Sequence, residues 1–508
     1  MEQLPLWDVA PPAARMSIPF LSKSRFGAGL QCPKRLYLEC YRRDLRDPID
    51  PTTQALFDAG INVGKVARGR FPGGVTFTQG PLEHDEAVRE TAAALTRPDT
   101  RALYEPAFTH DDVRVRVDIL AAAGKGEWDL VEVKSGSGYK EEHLADVGIQ
   151  LYVLEGAGVR VRRACLLHVN GQYLFEGGAY DLERLFTIRD LTDEARGARS
   201  ELLEALKAMR RPLREPEPPS IAVGPQCKRP YVCPFYTHCH DGGPEHPVDQ
   251  LPRTSPKLIE ALRAAAIDDI RDIPEDFDGL TDLHKRIRAS VITGRVHSDP
   301  ELKRALEKLE PPIHFLDFET CNPALPLFKG TRPFQQIPFQ WSDHVLHADG
   351  TLEHREYLHD GSTDPRRMVA GTLLQTLGRR GPIVVYSGFE ERIIRSLASV
   401  LPDLSADLLP LVETRIVDLL ELIRAHYYHP GFKGSFSIKG VLPALVRDLD
   451  YEDLEIREGG QAAAAYVELV ASATQASRRD EIKSALRAYC RRDTEAMVRL
   501  YQKLRGAE

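Results

Sequence analysis

The seven residues HFLDFET, 314–320, constrain this chain most, because they form an apolar run that carries two acids, Asp317 and Glu319, spaced two apart. Successive side chains of a β-strand point to opposite faces, so the two carboxylates share one face and Leu316 and Phe318 the other. A strand this apolar belongs in a core, where neighbouring like charges repel unless something positive sits between them. The run therefore predicts a buried strand with a cation at its acidic face.

At 508 residues, 42% hydrophobic and 28% charged, the chain exceeds a single core and predicts two or three globular domains. No apolar run approaches the roughly 20 residues that span a bilayer, and the opening MEQLPLWDVAPPAARM lacks the basic-then-apolar order of a signal peptide. The expectation is a cytoplasmic protein with no membrane partner. A net charge of -8 excludes a generally basic coat, so a nucleic-acid partner would be held by local patches. Between Ser22 and Arg46 the bases Lys23, Arg25, Lys34, Arg35, Arg42, Arg43 and Arg46 face only Glu39 and Asp44. This reads either as such a patch or as a solvated helix face.

Residues 1–245 alternate helical and strand-like stretches (VRVRVDIL, WDLVEVKS, ACLLHVN) and end at the Pro-rich REPEPPS, which predicts one α/β unit. Residues 246–300 read as short helices, a connector that is also similar to helix-hairpin-helix elements. Residues 301–508 predict a second α/β unit, with strands around IHFLDFET, FQWSDHVL, LEHREYL and PIVVYSG before a helical C-terminal part.

In the first unit Asp118 lies near the end of VRVRVDIL, and Glu132 and Lys134 share a face of the next strand. Two carboxylates that hold Mg²⁺ or Mn²⁺ and a lysine that steadies developing charge make a workable phosphodiester-cleaving set. Asp118, Glu132 and Lys134 resemble the PD-(D/E)xK superfamily, and within it the RecB-like nucleases, with Glu105 as a further metal-ligating acid. Gly64 stands in the neighbourhood of that family's upstream histidine, and Gln150 and Tyr152 are two apart where the family has a Gln-x-x-x-Tyr motif.

Of eight cysteines, Cys227, Cys233 and Cys239 form C-x5-C-x5-C, with Cys32 as the fourth partner. Clustered thiolates in a reducing compartment predict a metal centre rather than disulfides. The RecB-like resemblance implies a [4Fe-4S] cluster on these four; zinc is the alternative.

In the second unit Glu390 opens a helix after the apolar strand VVYSG, and Asp493 follows Tyr489 by four residues on another helix. Asp317, Glu319, Glu390 and Asp493 would converge on two divalent cations in an RNase H-like fold. Their order is similar to that of the DEDD 3′-5′ exonucleases, in the branch where tyrosine, here Tyr489, positions the water; Asp418 is the alternative to Glu390. Lys433 and Lys439, with Ser435 and Ser437, would contact phosphates. Nearly the whole chain resembles a bacterial family that fuses these two domains. The resemblance implies a metal-dependent nuclease on DNA, single-stranded or end-bearing. The alternatives are a non-cutting nucleic-acid-binding scaffold in a repair or defence complex, and an RNA-processing nuclease.

Overall fold

The computed structural model describes residues 18–506; the N-terminal stretch read above for a leader lies outside them. The contacts of the chain divide it into two units, each mixed α/β. The first collects the chain up to Ile49, Gly60–Asn170 and Asp181–Asp241, and the second takes Asp50–Ala59, Gly171–Tyr180 and Gly242–Glu508.

The first unit is built on a six-stranded sheet of β1 (Gly74–Thr76), β2 (Ala102–Tyr104), β3 (Ile119–Gly124), β4 (Glu127–Lys134), β5 (Val161–Val169) and β6 (Phe186–Asp190), paired in that order. The β3–β4 turn places Gly124, Lys125 and Gly126 at positive φ, which the two glycines adopt without a Cβ penalty. Strands β4 and β5 are parallel, so the chain must cross over between them. It does so through a helix, Glu141–Gly156, whose apolar VGIQLYVL is buried throughout. Two helices precede the sheet, α1 (Lys23–Gln31) and α2 (Pro33–Tyr41), and the crossover helix is α3.

VRVRVDIL is two strands rather than one. Val113–Arg116 pairs with Leu21–Ser22 and Ala107–His110 in a separate three-stranded sheet, and β3 begins only at Ile119. Alternation of apolar and polar residues continues unbroken through the junction, so periodicity carries no sign of the change of sheet. Asp118 therefore sits at a switch between sheets, where its carbonyl accepts from the Glu105 amide at 3.3 Å.

The second unit carries a five-stranded sheet of β7 (Ile313–Cys321), β8 (Ile337–Leu346), β9 (Leu352–Leu358), β10 (Ile383–Val385) and β11 (Ile416–Asp418). Their spatial order is β9-β8-β7-β10-β11. Only β8 runs against its neighbours: β7 is antiparallel to β8, and β10 and β11 are parallel to β7. The parallel step from β9 to β10 is made by α4 (Arg366–Leu377), and α5 (Phe389–Val400) follows β10. Later come α6 (Ile438–Leu445), α7 (Gly459–Val470) and the 30-residue α8 (Ala476–Arg505).

Both faces of β7 are covered, which is why its sequence is apolar on both. Leu316 and Phe318 join a core with Val369 and Leu373 of α4 and Ile393 and Leu397 of α5. Ile313, Phe315 and Cys321 join another with Tyr466 of α7 and Leu486 and Met497 of α8. Leu258, Leu262, Ile270, Ile287 and Val291, from segment 246–300, belong to that same core. Asp317 and Glu319 share the face that α7 and α8 cover.

Phe339 on β8 is fully buried and stacks on Tyr466 with ring centroids 3.8 Å apart. Phe339→Ala is expected to cost about 3–5 kcal/mol, read as a lowered denaturant midpoint at unchanged slope, whereas exposed Met368→Ala should stay within about 0.5 kcal/mol.

Candidate functional site

Three elements bring four carboxylates together in the second unit. Strand β7 supplies Asp317 and Glu319, the first turn of α5 supplies Glu390, and α8 supplies Asp493. Glu319, Glu390 and Asp493 are buried and Asp317 half-buried. The sequence places each for a local reason: the strand period puts Asp317 and Glu319 on one face, a helix N-terminus favours the Glu390 carboxylate, and four-residue spacing sets Tyr489 and Asp493 on one side of α8.

Burial, with Asp493, Glu319 and Glu390 close by, holds the Asp317 carboxyl well above the usual carboxylate range. Burial and Asp493 do the same to Glu319, against the pull of Lys439. Glu390 is pushed up to about 8 by burial, with Asp418 and Asp493 adding to it. Asp493 rises only to about 6, because hydrogen bonds from Tyr451 and Tyr489 and the charge of Lys439 offset part of its burial.

The cation that the acidic face of β7 calls for is Lys439 of α6. Its ammonium lies 5.1 Å from the ring centroids of both Tyr451 and Tyr489, donates to the Tyr489 hydroxyl at 3.3 Å and bonds the Arg457 carbonyl. Sequence reading gave Lys439 to phosphates together with Lys433, Ser435 and Ser437. In the fold Ser437 caps α6 by accepting from the Gly440 amide at 3.2 Å, Ser435 bonds Ser437 at 3.0 Å, and Lys433 caps a short turn at φ 47°.

Two neighbours escaped sequence reading. The Tyr451 hydroxyl donates to Asp493 Oδ1 at 2.5 Å, and Cys490 Sγ lies 3.6 Å from Asp317 Oδ2. Burial keeps the Cys490 thiol protonated, so it donates to Asp317. Cys490 adjoins Tyr489 in the sequence and so was findable; Tyr451, in DLDYEDL, carries no such signal. Asp418, the alternative to Glu390, caps the helix after β11 by accepting from the Glu421 amide at 3.2 Å, and its charge bears on Glu390.

One lysine against four acids leaves an excess of negative charge in a buried place. Glu390 Oε2 is buried without a hydrogen-bond partner, and Asp317, Glu319 and Cys490 have ligand atoms within 4.8 Å of one another. The oxygens of Asp317 and Glu319 are close enough to share a hard divalent cation, while Glu390 and Asp493 stand outside that 4.8 Å group and bear on it through their charge.

The first unit meets the same problem with more lysine. Glu132 of β4 is 1% exposed; Lys23 of α1 donates to both of its oxygens at 2.9 Å, Lys134 pairs with it at 2.8 Å, and Gln150 of α3 donates to it at 2.8 Å. Burial alone would raise the Glu132 carboxyl, but Lys23 and Lys134 outweigh it and hold the group down to about 2. Asp118 accepts from the Val133 amide at 2.7 Å and is pushed up to about 7 by burial and the Glu132 charge. Of this neighbouring pair, Asp118 is the one that holds a proton near neutrality.

Lys134 also pairs with Asp146 of α3 at 2.5 Å. Glu105 adjoins Asp118 through the backbone, but its carboxylate is paired with Arg68 at 3.0 Å. Gln150 reaches the site although its spacing to Tyr152 does not match the motif; Tyr152 bonds Asp111 instead.

Cys32, Cys227, Cys233 and Cys239 line one pocket with Lys34 and Arg35. Cys32 stands between α1 and α2, closing one and opening the other, and the remaining three follow on a loop and a short helix. Burial raises the Cys233 and Cys239 thiols, with Arg35 and Lys34 pulling them back. The four share a lining without three sulfurs coming within 4.8 Å of one another. The basic run 22–46 is thus partly spent: Lys23 is on Glu132, Lys34 and Arg35 are at the cysteines, and Arg42 and Arg46 pair with Asp44 and Glu39.

Residues 314–437 match a family described as a domain of unknown function, DUF2779. The matched span holds Asp317, Glu319 and Glu390 and stops before Lys439, Tyr489 and Asp493. None of the curated proteins matches the chain. Among the described residues no helix is long and apolar enough to cross a membrane.

A carboxyl with a raised folded-state pKa keeps a proton that the unfolded chain has lost. Stability therefore drains away as pH climbs from the ordinary carboxylate range, roughly 4–4.5, toward the value of about 8 at Glu390. Metal competes with those protons, so Mn²⁺ is expected to raise Tm more at pH 8 than at pH 6. Glu390→Gln should raise the metal-free Tm at pH 8, by about 2–4 °C for each ~1 kcal/mol of repulsion relieved, and shrink the Mn²⁺ response. Scanning calorimetry at both pH values, with and without Mn²⁺, checks both effects.

Proposed function

We propose that the chain is a two-site, metal-dependent nuclease acting on DNA that is single-stranded or has free ends, with a 3′-5′ exonuclease in the second unit. The observation that carries this is the pair Asp317 and Glu319 on one face of β7, with the charges of Glu390 and Asp493 bearing on both and Tyr489 bonded to Asp493. The sheet order β9-β8-β7-β10-β11, with only β8 reversed, is the order expected of an RNase H-like domain and supports the reading. In the first unit, acids at the start of β3 and on β4, Lys134 two residues on, and a helical crossover to a parallel β5 support a PD-(D/E)xK nuclease.

Divalent cations, when bound, activate water and stabilise the leaving oxygen of a phosphodiester. The residues of the chain do the rest. The four carboxylates of the second unit would hold the cations, and Asp317, Glu319 and Glu390 would shed the protons that burial makes them keep. Tyr451 and Lys439 fix Asp493 and the Tyr489 hydroxyl, which orients the attacking water. In the first unit Asp118 and Glu132 are the metal-holding pair. Lys134, held between Glu132 and Asp146, is placed to steady charge on the scissile phosphate.

A specific observation favours a second reading for the first unit alone. Lys23 already occupies both oxygens of Glu132, as it would in a site that binds nucleic acid without cutting. Digestion of 5′-labelled and 3′-labelled single-stranded DNA with Mn²⁺ separates the readings. Asp317→Asn is expected to abolish stepwise loss of the 3′ label, by at least 100-fold in rate. Lys134→Ala should remove a different product set if the first site cuts, and change nothing in the products if it only binds. A parent that leaves both labels intact yet retards DNA in a gel contradicts the nuclease reading.

The pocket lined by Cys32, Cys227, Cys233 and Cys239 supports a metal centre. The RecB-like resemblance favours a [4Fe-4S] cluster on these four, with zinc as the alternative. Anaerobically purified protein is expected to be brown with a broad visible band that Cys233→Ser abolishes; colourless protein containing zinc would mean the other metal.

A further inference from the structure

His314 opens β7 on the face opposite to Asp317 and Glu319. Its Nδ1 donates to Asp343 Oδ2 on β8 at 2.8 Å, with both side chains buried. Nε2 is thereby the ring nitrogen left for another partner. Asp343 is fully buried and its second oxygen has no hydrogen-bond partner, a costly arrangement for a mere core pair.

His314 also lines a cavity of about 510 Å³ together with His347, Arg355, Arg379 and Arg380. No carboxylate lines this cavity. Glu353, outside the lining, pairs with Arg355 at 2.7 Å and with His347 at 3.2 Å, and Arg355 donates to the Thr376 carbonyl at 3.2 Å, so its guanidinium is held in place. Arg379 and Arg380 follow the end of α4 past Gly378, whose φ is 51°, and are exposed. A helix C-terminus would ordinarily repel an anion, but here Arg415 takes the carbonyls of Leu377, Gly378, Arg380 and Gly381. Arg415 thus offsets the partial negative charge of these carbonyls beside the cavity.

We propose that this cavity is a binding site for the terminal phosphomonoester of a nucleotide, with Arg379 and Arg380 on the phosphate. Arginine forks suit a phosphate dianion. The volume exceeds what a bare phosphate fills and falls within the range of small-molecule sites, and Pro311, Pro312, Val345 and Leu377 offer an apolar wall to sugar or base. The site lies on the other face of β7 from the acid cluster and does not depend on that cluster's chemistry. Its ligand is either a free nucleoside monophosphate or the 5′-phosphorylated end of a strand.

Calorimetric titration of the full chain in EDTA, which removes any metal-borne phosphate binding, tests this. Deoxyadenosine 5′-monophosphate is expected to bind and deoxyadenosine not to. Arg379→Ala/Arg380→Ala, with an unchanged circular dichroism spectrum, should weaken binding at least tenfold, while Asp317→Asn leaves it as in the parent. A short oligonucleotide with a 5′-phosphate binding more tightly than its 5′-hydroxyl counterpart identifies a strand end as the ligand; binding of the monophosphate alone identifies a free nucleotide. If neither phosphorylated ligand binds in EDTA, or if the double variant binds as the parent does, the proposal is overturned. Loss of nuclease activity would not bear on it.

Discussion

Repulsion between the carboxylates of Asp317 and Glu319 is the constraint around which the second unit is arranged. A strand covered on both faces cannot hydrate two charges, and α5 and α8 add two more acids to the same buried place. What the fold supplies in return is small: one ammonium from Lys439, a phenol from Tyr451 and a thiol from Cys490. Lys439 and Tyr451, with the Tyr489 hydroxyl, hold Asp493 near 6, and Asp317, Glu319 and Glu390 stay high. A chain that keeps such an unbalanced cluster in its core gives up stability for it, and bound cations would restore that stability.

The first unit resolves an equivalent problem in the opposite direction. Lys23 and Lys134 bracket Glu132 so completely that its carboxyl falls below the ordinary range, and only Asp118 retains a proton. The two sites therefore differ in what they ask of a metal. In the second unit a cation would fill a deficit of positive charge, whereas in the first it would have to displace Lys23 from both oxygens of Glu132. That difference would make metal affinity, and its dependence on salt and pH, a property of each site rather than of the chain.

Much of this was legible in the sequence because strand and helix periods are short. Two-residue spacing placed Asp317 with Glu319 and Glu132 with Lys134, four-residue spacing placed Tyr489 with Asp493, and C-x5-C-x5-C marked the cysteine pocket. What stayed hidden depends on tertiary placement. Lys23 sits in a basic run indistinguishable from a solvated face, yet reaches Glu132 across 109 positions. Tyr451 comes to Asp493 from a loop, and Gln150 joins Glu132 from a helix whose spacing argued otherwise. The change of sheet at Val117 and Asp118 was invisible because the alternating pattern runs on through it. The pairing of His314 with Asp343 needed the β7–β8 register, which no local pattern encodes.

The four carboxylates on β7, α5 and α8 are proposed to hold divalent cations. Anomalous diffraction at the manganese edge from crystals grown in Mn²⁺ tests this most directly. Manganese density is expected in contact with Asp317, Glu319, Glu390 and Asp493, and its loss is expected in crystals of Asp317→Asn. An ordered cluster with no manganese among its carboxylates, at concentrations that load exposed acids elsewhere on the molecule, would contradict it.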